Sequence, residues 1–165
     1  MTVRCILIVP DADPINSLWV AGELSLSLKL GMPVVIVDQV YAELASYPEN
    51  YLKDREVKAF VEAHPEVFSI EPTNVGRMAA ALREQGTFQT GQSLGEAAIA
   101  DFFQHGLEKF VRSDQAALLL FEDSDIRSVK IVRRPCSVHL VSTVSWLRGL
   151  QDLGIIASAD DVIRP

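Results

Sequence analysis

Between Val3 and Val9 the chain reads Val-Arg-Cys-Ile-Leu-Ile-Val, apolar except for Arg4, and it stops at Pro10-Asp11. A strand with one solvated face alternates apolar and polar residues, whereas an unbroken apolar strand is buried on both faces, the hallmark of a parallel sheet covered by helices. Val34-Val35-Ile36-Val37, held between Pro33 and Asp38, repeats the pattern. The first strand is therefore expected at the centre of a mostly parallel sheet.

The segments between these strands carry helical patterns. A stripe of Leu18, Trp19, Ala21, Leu24, Leu26, Leu28 and Leu30 predicts a helix over Ile15 to Leu30, stopped by Gly31. Helices are further predicted over Val40 to Ala45, Lys53 to Ala63, Val75 to Arg83, Gly95 towards His105, and Val144 to Leu153 before Gly154. Short strands are expected at Val67 to Ile70, Ala117 to Phe121, Ile131-Val132 and Val138 to Val141. Gln85 to Leu94, rich in Gly, Thr, Gln and Ser, reads as a loop that borders a site. Strands alternating with helices imply right-handed crossovers and an α/β fold of one domain over residues 1–157, with a polar tail over 158–165 that frays.

Composition excludes several alternatives. With 48% hydrophobic and 22% charged residues among 165, the chain is expected to fold around its own core. Its apolar runs fall far short of the roughly 20 residues that span a bilayer, so no membrane association is expected. Cys5 and Cys136 are isolated, giving neither a disulfide framework nor metal-ligand spacing, and a reducing cytoplasm is the expected compartment. The net charge of −7 disfavours diffuse adhesion to nucleic acid, so any RNA contact must be local or metal-mediated. His64, His105 and His139 lack the spacing of a zinc site.

In open parallel sheets ligands bind beyond the carboxyl ends of the strands. Asp11 and Asp13 follow the first strand, Glu43 lies shortly after the second, Glu122, Asp123 and Asp125 follow Ala117 to Phe121, and Glu96 opens a helix. Carboxylates driven together repel and protonate unless a cation compensates them. Oxygen ligands alone favour Mg²⁺ or Mn²⁺ over zinc, and such ions assist attack of water on phosphodiesters. Each acid also has an ordinary explanation: Asp11 or Asp13 as a helix cap, Glu43 as a solvated helix residue, Glu96 as a partner of the helix dipole, and Glu122 to Asp125 as an acidic turn. Arg127, Lys130, Arg133 and Arg134 form the densest basic group, suited either to RNA phosphates or to a solvated turn.

Taken together the segments resemble the PIN-domain family, in particular the prokaryotic branch that includes VapC-type toxins. The motifs are Ile6-Leu7-Ile8-Val9-Pro10-Asp11, Val40-Tyr41-Ala42-Glu43-Leu44, Gly95-Glu96-Ala97-Ala98-Ile99, and Leu118-Leu119-Leu120-Phe121 followed by Glu122-Asp123-Ser124-Asp125. The resemblance implies a PIN-like three-layer fold, a central mostly parallel sheet flanked by helices. It implies catalytic acids at Asp11, Glu43, Glu96 and Asp123, which together with Asp125 would bind Mg²⁺ or Mn²⁺, and secondary candidates at Asp13, Glu122, Ser142 and Thr143. The implied activity is metal-dependent hydrolysis of RNA as the toxin of a toxin–antitoxin pair, with RNA, an antitoxin protein and a second copy of the chain as partners. The alternative is a noncatalytic PIN-like binding or assembly module. Pro10, Asn16 and the long insert between Tyr47 and His64 depart from the family pattern.

Overall fold

A computed structural model describes residues 4–88, 94–122 and 137–163. In chain order the elements are β1 (Arg4–Pro10), α1 (Ala12–Val20), a 3-10 helix (Leu24–Leu28), β2 (Val34–Val37), α2 (Asp38–Ala45), α3 (Leu52–Ala63), β3 (Phe68–Glu71), α4 (Asn74–Glu84), α5 (Leu94–His105), a 3-10 turn (Leu107–Lys109), β4 (Gln115–Phe121), β5 (Ser137–Ser142), α6 (Thr143–Asp152) and α7 (Ala159–Ile163).

The strands form one sheet in the order β3-β2-β1-β4-β5, and every neighbouring pair is parallel. β1 is therefore central, as its unbroken apolar run predicts. All four residues of β2 are buried although their side chains alternate between faces, so helices cover the sheet on both sides. The architecture is a three-layer α/β fold whose core joins Val9, Ile36 and Leu119 of the sheet to Phe102, Phe103 and Leu147 of the helices. Among the described residues no helix is long and apolar enough to cross a membrane.

From β1 the chain moves outward through β2 to β3, then returns to the other side of β1 with β4. Strand order thus reverses between β1 and β4, which opens a crevice beyond their carboxyl ends. Pro10 pairs with Leu120, and the Asp11 N–H donates to the Leu120 carbonyl at 2.8 Å, so Asp11 stands at that reversal.

Two expectations are corrected. The single helix expected over Ile15 to Leu30 is two elements, because Gly22 at φ 70° closes α1: the Gly22 N–H donates to the Trp19 carbonyl and the Glu23 N–H to that of Leu18. The segment expected to fray after Ala157 instead forms α7, where the Ala159 N–H donates to Gln151 Oε1 at 2.8 Å and Ala159 joins the core. The strand expected at Ile131-Val132 and the middle of the Gln85 to Leu94 loop lie outside the described residues.

Candidate active site

Asp11 caps α1. Its backbone is extended, with φ −74° and ψ 175°, and Oδ1 accepts from the Ala12 N–H at 2.9 Å. Its residue is only 8% exposed, so the carboxylate is held at the crevice rather than waving in solvent. Asp13, two residues on, is exposed in the first turn of the same helix.

Glu43 comes from the last turn of α2 and reaches the start of α5, where the Gly95 N–H donates to its carboxylate. A Cβ at residue 95 would stand 2.8 Å from Glu43 Oε1, which gives that glycine a purpose: it leaves room for the carboxylate against the helix N-terminus. Glu96 follows in the first turn of α5. An acid at that end of a helix faces favourable backbone dipoles.

The Glu43 carboxyl is raised above its ordinary range. Loss of surrounding water is the largest cause, followed by the negative charge of Asp11; the Gly95 N–H opposes the rise, and Asp13 and Glu96 add to it. Residues from α1, α2 and α5 thus share one electrostatic neighbourhood despite their separation in sequence. Like charges gathered at one sheet edge are the pattern that a divalent cation relieves, and an all-carboxylate donor set suits Mg²⁺ or Mn²⁺. Among the described residues no group of three or more His, Cys, Asp or Glu side chains is drawn close enough to hold a metal by itself. Mg²⁺ is commonly held by one or two carboxylates with water completing its shell.

Glu122, Ser142 and Thr143 stand at the ends of β4 and β5. Glu122 accepts from Ser17 Oγ at 2.9 Å and turns to a mostly apolar cleft of about 210 Å³ that Leu18, Val144, Leu147 and Thr143 also line. Ser142 caps α6, accepting from the Ser145 N–H at 3.1 Å. Thr143 is buried, and its Oγ1 has no hydrogen-bond partner among the described residues. Asp123, Asp125, Arg127, Lys130, Arg133 and Arg134 lie outside the described residues.

Sequence reasoning passed over two acids. Asp38, directly after β2, accepts from the Gln39 N–H (2.8 Å), the Thr73 N–H (2.9 Å) and Thr73 Oγ1 (2.8 Å). Asp101 on α5 accepts from the Asn74 N–H at 2.6 Å and from Asn74 Nδ2 at 3.2 Å. The position of Asp38, an acid closing a buried strand, was the available signal; Asp101 carries none without the tertiary fold. Models of known protein families do not match the chain, and no curated protein matches it in sequence.

Proposed function

We propose that this chain is a Mg²⁺- or Mn²⁺-dependent ribonuclease of the PIN-domain kind, which hydrolyses RNA phosphodiester bonds beyond the carboxyl ends of β1 and β4. The observation that carries the reading is the gathering of acids around Glu43, whose carboxyl is raised first by loss of water and then by the charges of Asp11, Asp13 and Glu96, with Asp11 at the point where strand order reverses. Asp11, Glu43 and Glu96 would hold the cation, with Asp123 and Asp125 as further acids. When bound, such an ion offsets phosphate charge and makes water a stronger nucleophile. Asp11 contributes a carboxylate that accepts from the Ala12 N–H, on a backbone whose own N–H is held by the Leu120 carbonyl, and the Gly95 N–H orients Glu43. A preset arrangement of charge avoids reorganisation during reaction, usually the largest source of catalysis.

The resemblance extends the proposal to a toxin of a toxin–antitoxin pair in the cytoplasm, partnered by an antitoxin and by a second copy of the chain. The test is cleavage of a mixed single-stranded RNA pool with Mg²⁺ or Mn²⁺, with chelator, and by Asp11→Asn. Cleavage that needs the ion and is lost in the variant is expected, while equal cleavage by both proteins rejects Asp11 as a ligand.

A second reading, a noncatalytic binding or assembly module, is favoured by the absence of a three-residue metal group among the described residues. No cleavage of any RNA, together with no response of the protein to either ion, would select it.

A further inference from the structure

The turn between α2 and α3 exposes Tyr47 and Tyr51 at 60% each, with Leu52 beside them at 52%. Large side chains so exposed are normally on mobile or featureless surface, yet this turn is braced from below. Asp54, 5% exposed, accepts from the Tyr47 N–H at 3.0 Å and pairs with Lys53 Nζ at 2.9 Å. Lys53 Nζ in turn donates to the Leu44 carbonyl at 3.0 Å and to the Glu43 carbonyl at 3.3 Å, tying the turn to the end of α2. The Tyr51 N–H donates to the Tyr47 carbonyl at 3.0 Å, which closes the turn on itself. The pair of half-buried Lys53 with buried Asp54 thus holds the backbone of a turn that carries two exposed aromatic rings and is tied to the Glu43 carbonyl.

The rings meet at 78° with centroids 6.3 Å apart, edge to face, and both remain 60% exposed. Arg55 is exposed one turn beyond Tyr51, its N–H donating to the Tyr51 carbonyl at 3.1 Å, whereas Glu56 accepts from Trp19 Nε1 at 2.8 Å. Aromatic faces with an adjacent cation are what unpaired nucleobases and their phosphates require, and stacking tolerates any base. The turn opens the insert that departs from the PIN-domain pattern.

We infer that Tyr47 and Tyr51 form a stacking platform, with Arg55 as its phosphate contact, that takes the bases of single-stranded RNA beside the acidic corner. The inference rests on the ribonuclease reading for its ligand, and because stacking needs no metal the two can fail separately. The experiment is fluorescence anisotropy of an end-labelled, eight-nucleotide single-stranded RNA in EDTA, where no cleavage competes, using the full chain. Tyr47→Ala and Tyr51→Ala should each weaken binding about tenfold. Tyr47→Phe and Tyr51→Phe should retain it, and an oligonucleotide of the same length lacking bases should bind no better to wild type than to the alanine variants. Where cleavage is measurable, the alanine variants should raise KM and leave kcat unchanged. Equal RNA affinity of wild type and the Tyr47→Ala/Tyr51→Ala double variant overturns the platform, whether or not the protein cleaves RNA. So does the absence of RNA binding by wild type. A change from dimer to monomer in the double variant by light scattering, with RNA affinity unchanged, overturns it in favour of a contact between copies of the chain. Loss of cleavage in Asp11→Asn bears only on the ribonuclease reading.

Discussion

Asp11 and Asp38 occupy equivalent places in this fold: each directly follows a buried parallel strand, and each stands where a helix begins. Their surroundings differ. Asp38 has donors on both oxygens, from Gln39 and twice from Thr73, and Gly76 packs so closely that a Cβ there would overlap the carboxylate. Asp11 sits instead among other acids, and its charge helps to raise Glu43. Position at a strand end is therefore not enough to mark a functional acid. Asp38 is bound into the packing of α2 against the start of α4, whereas Asp11, which caps α1, also carries its charge into the neighbourhood of Glu43.

That contrast is broken most sharply by paired amide substitutions. In Asp38→Asn either orientation of the amide turns its NH₂ towards a donor, so a loss of about 1–3 kcal/mol is expected. For a chain of this size that is roughly 2–12 °C in melting temperature. Asn is as good a helix cap as Asp, so Asp11→Asn should unfold within about 1 kcal/mol of wild type while cleaving no RNA. Thermal melts of both variants check this, and equal destabilisation would remove the distinction.

The glycines beside Asp38 and Glu43 make a second pair. Gly76→Ala forces a methyl into the Asp38 carboxylate and its bonded neighbours and should cost about 1–3 kcal/mol. Gly95→Ala meets the carboxyl end of Glu43 and, at 3.4 Å, Val40 Cγ2, and alanine favours a helix, so stability should move by less than about 1 kcal/mol. Its effect should appear in cleavage, which should fall about tenfold if displacing Glu43 costs about 1.4 kcal/mol of transition-state stabilisation. Denaturant titration and single-turnover cleavage separate the two outcomes.

Acidity supplies a smaller effect. Because the Glu43 carboxyl is raised above its ordinary value of 4.5, the folded protein binds that proton more tightly than the unfolded chain does. Its contribution is present below the ordinary value and is lost as pH rises through the higher folded value. Glu43→Gln should therefore be flatter than wild type across that acid window and more stable at neutral pH, measured by melting at stepped pH. The smallest effect is expected at Thr143, whose buried hydroxyl lacks a partner among the described residues. Thr143→Val should gain up to about 1 kcal/mol, and loss of cleavage in that variant would return Thr143 to the site.

Local chemistry made much of the frame legible. Val34–Val37 was readable to the residue because a β-branched run between Pro33 and Asp38 leaves no competing pattern. The apolar β1 implied both its central place and the parallel sheet, and with them the edge where the acids gather. The break at Gly22 was hidden because apolar residues continue at helical spacing on both sides of it. Asp38 could not be told from Asp11, since its donors come from Thr73, which sequence does not place beside it. Likewise the reach of Glu43 to the Gly95 N–H, and the brace of Asp54 and Lys53 beneath Tyr47, exist only once the helices have packed.

The central claim is that Asp11 and its neighbours are crowded because they accommodate a cation, and melting in the presence of Mn²⁺ tests it directly. A ligand that binds only the folded state adds about 2.7 kcal/mol at ~100 times its Kd, which is roughly 5–11 °C for a chain of this size. The account predicts a saturable rise of that order in wild type and in Asp38→Asn from its lower baseline, and little or none in Asp11→Asn. An equal rise in wild type and Asp11→Asn, or no rise in wild type, would contradict it.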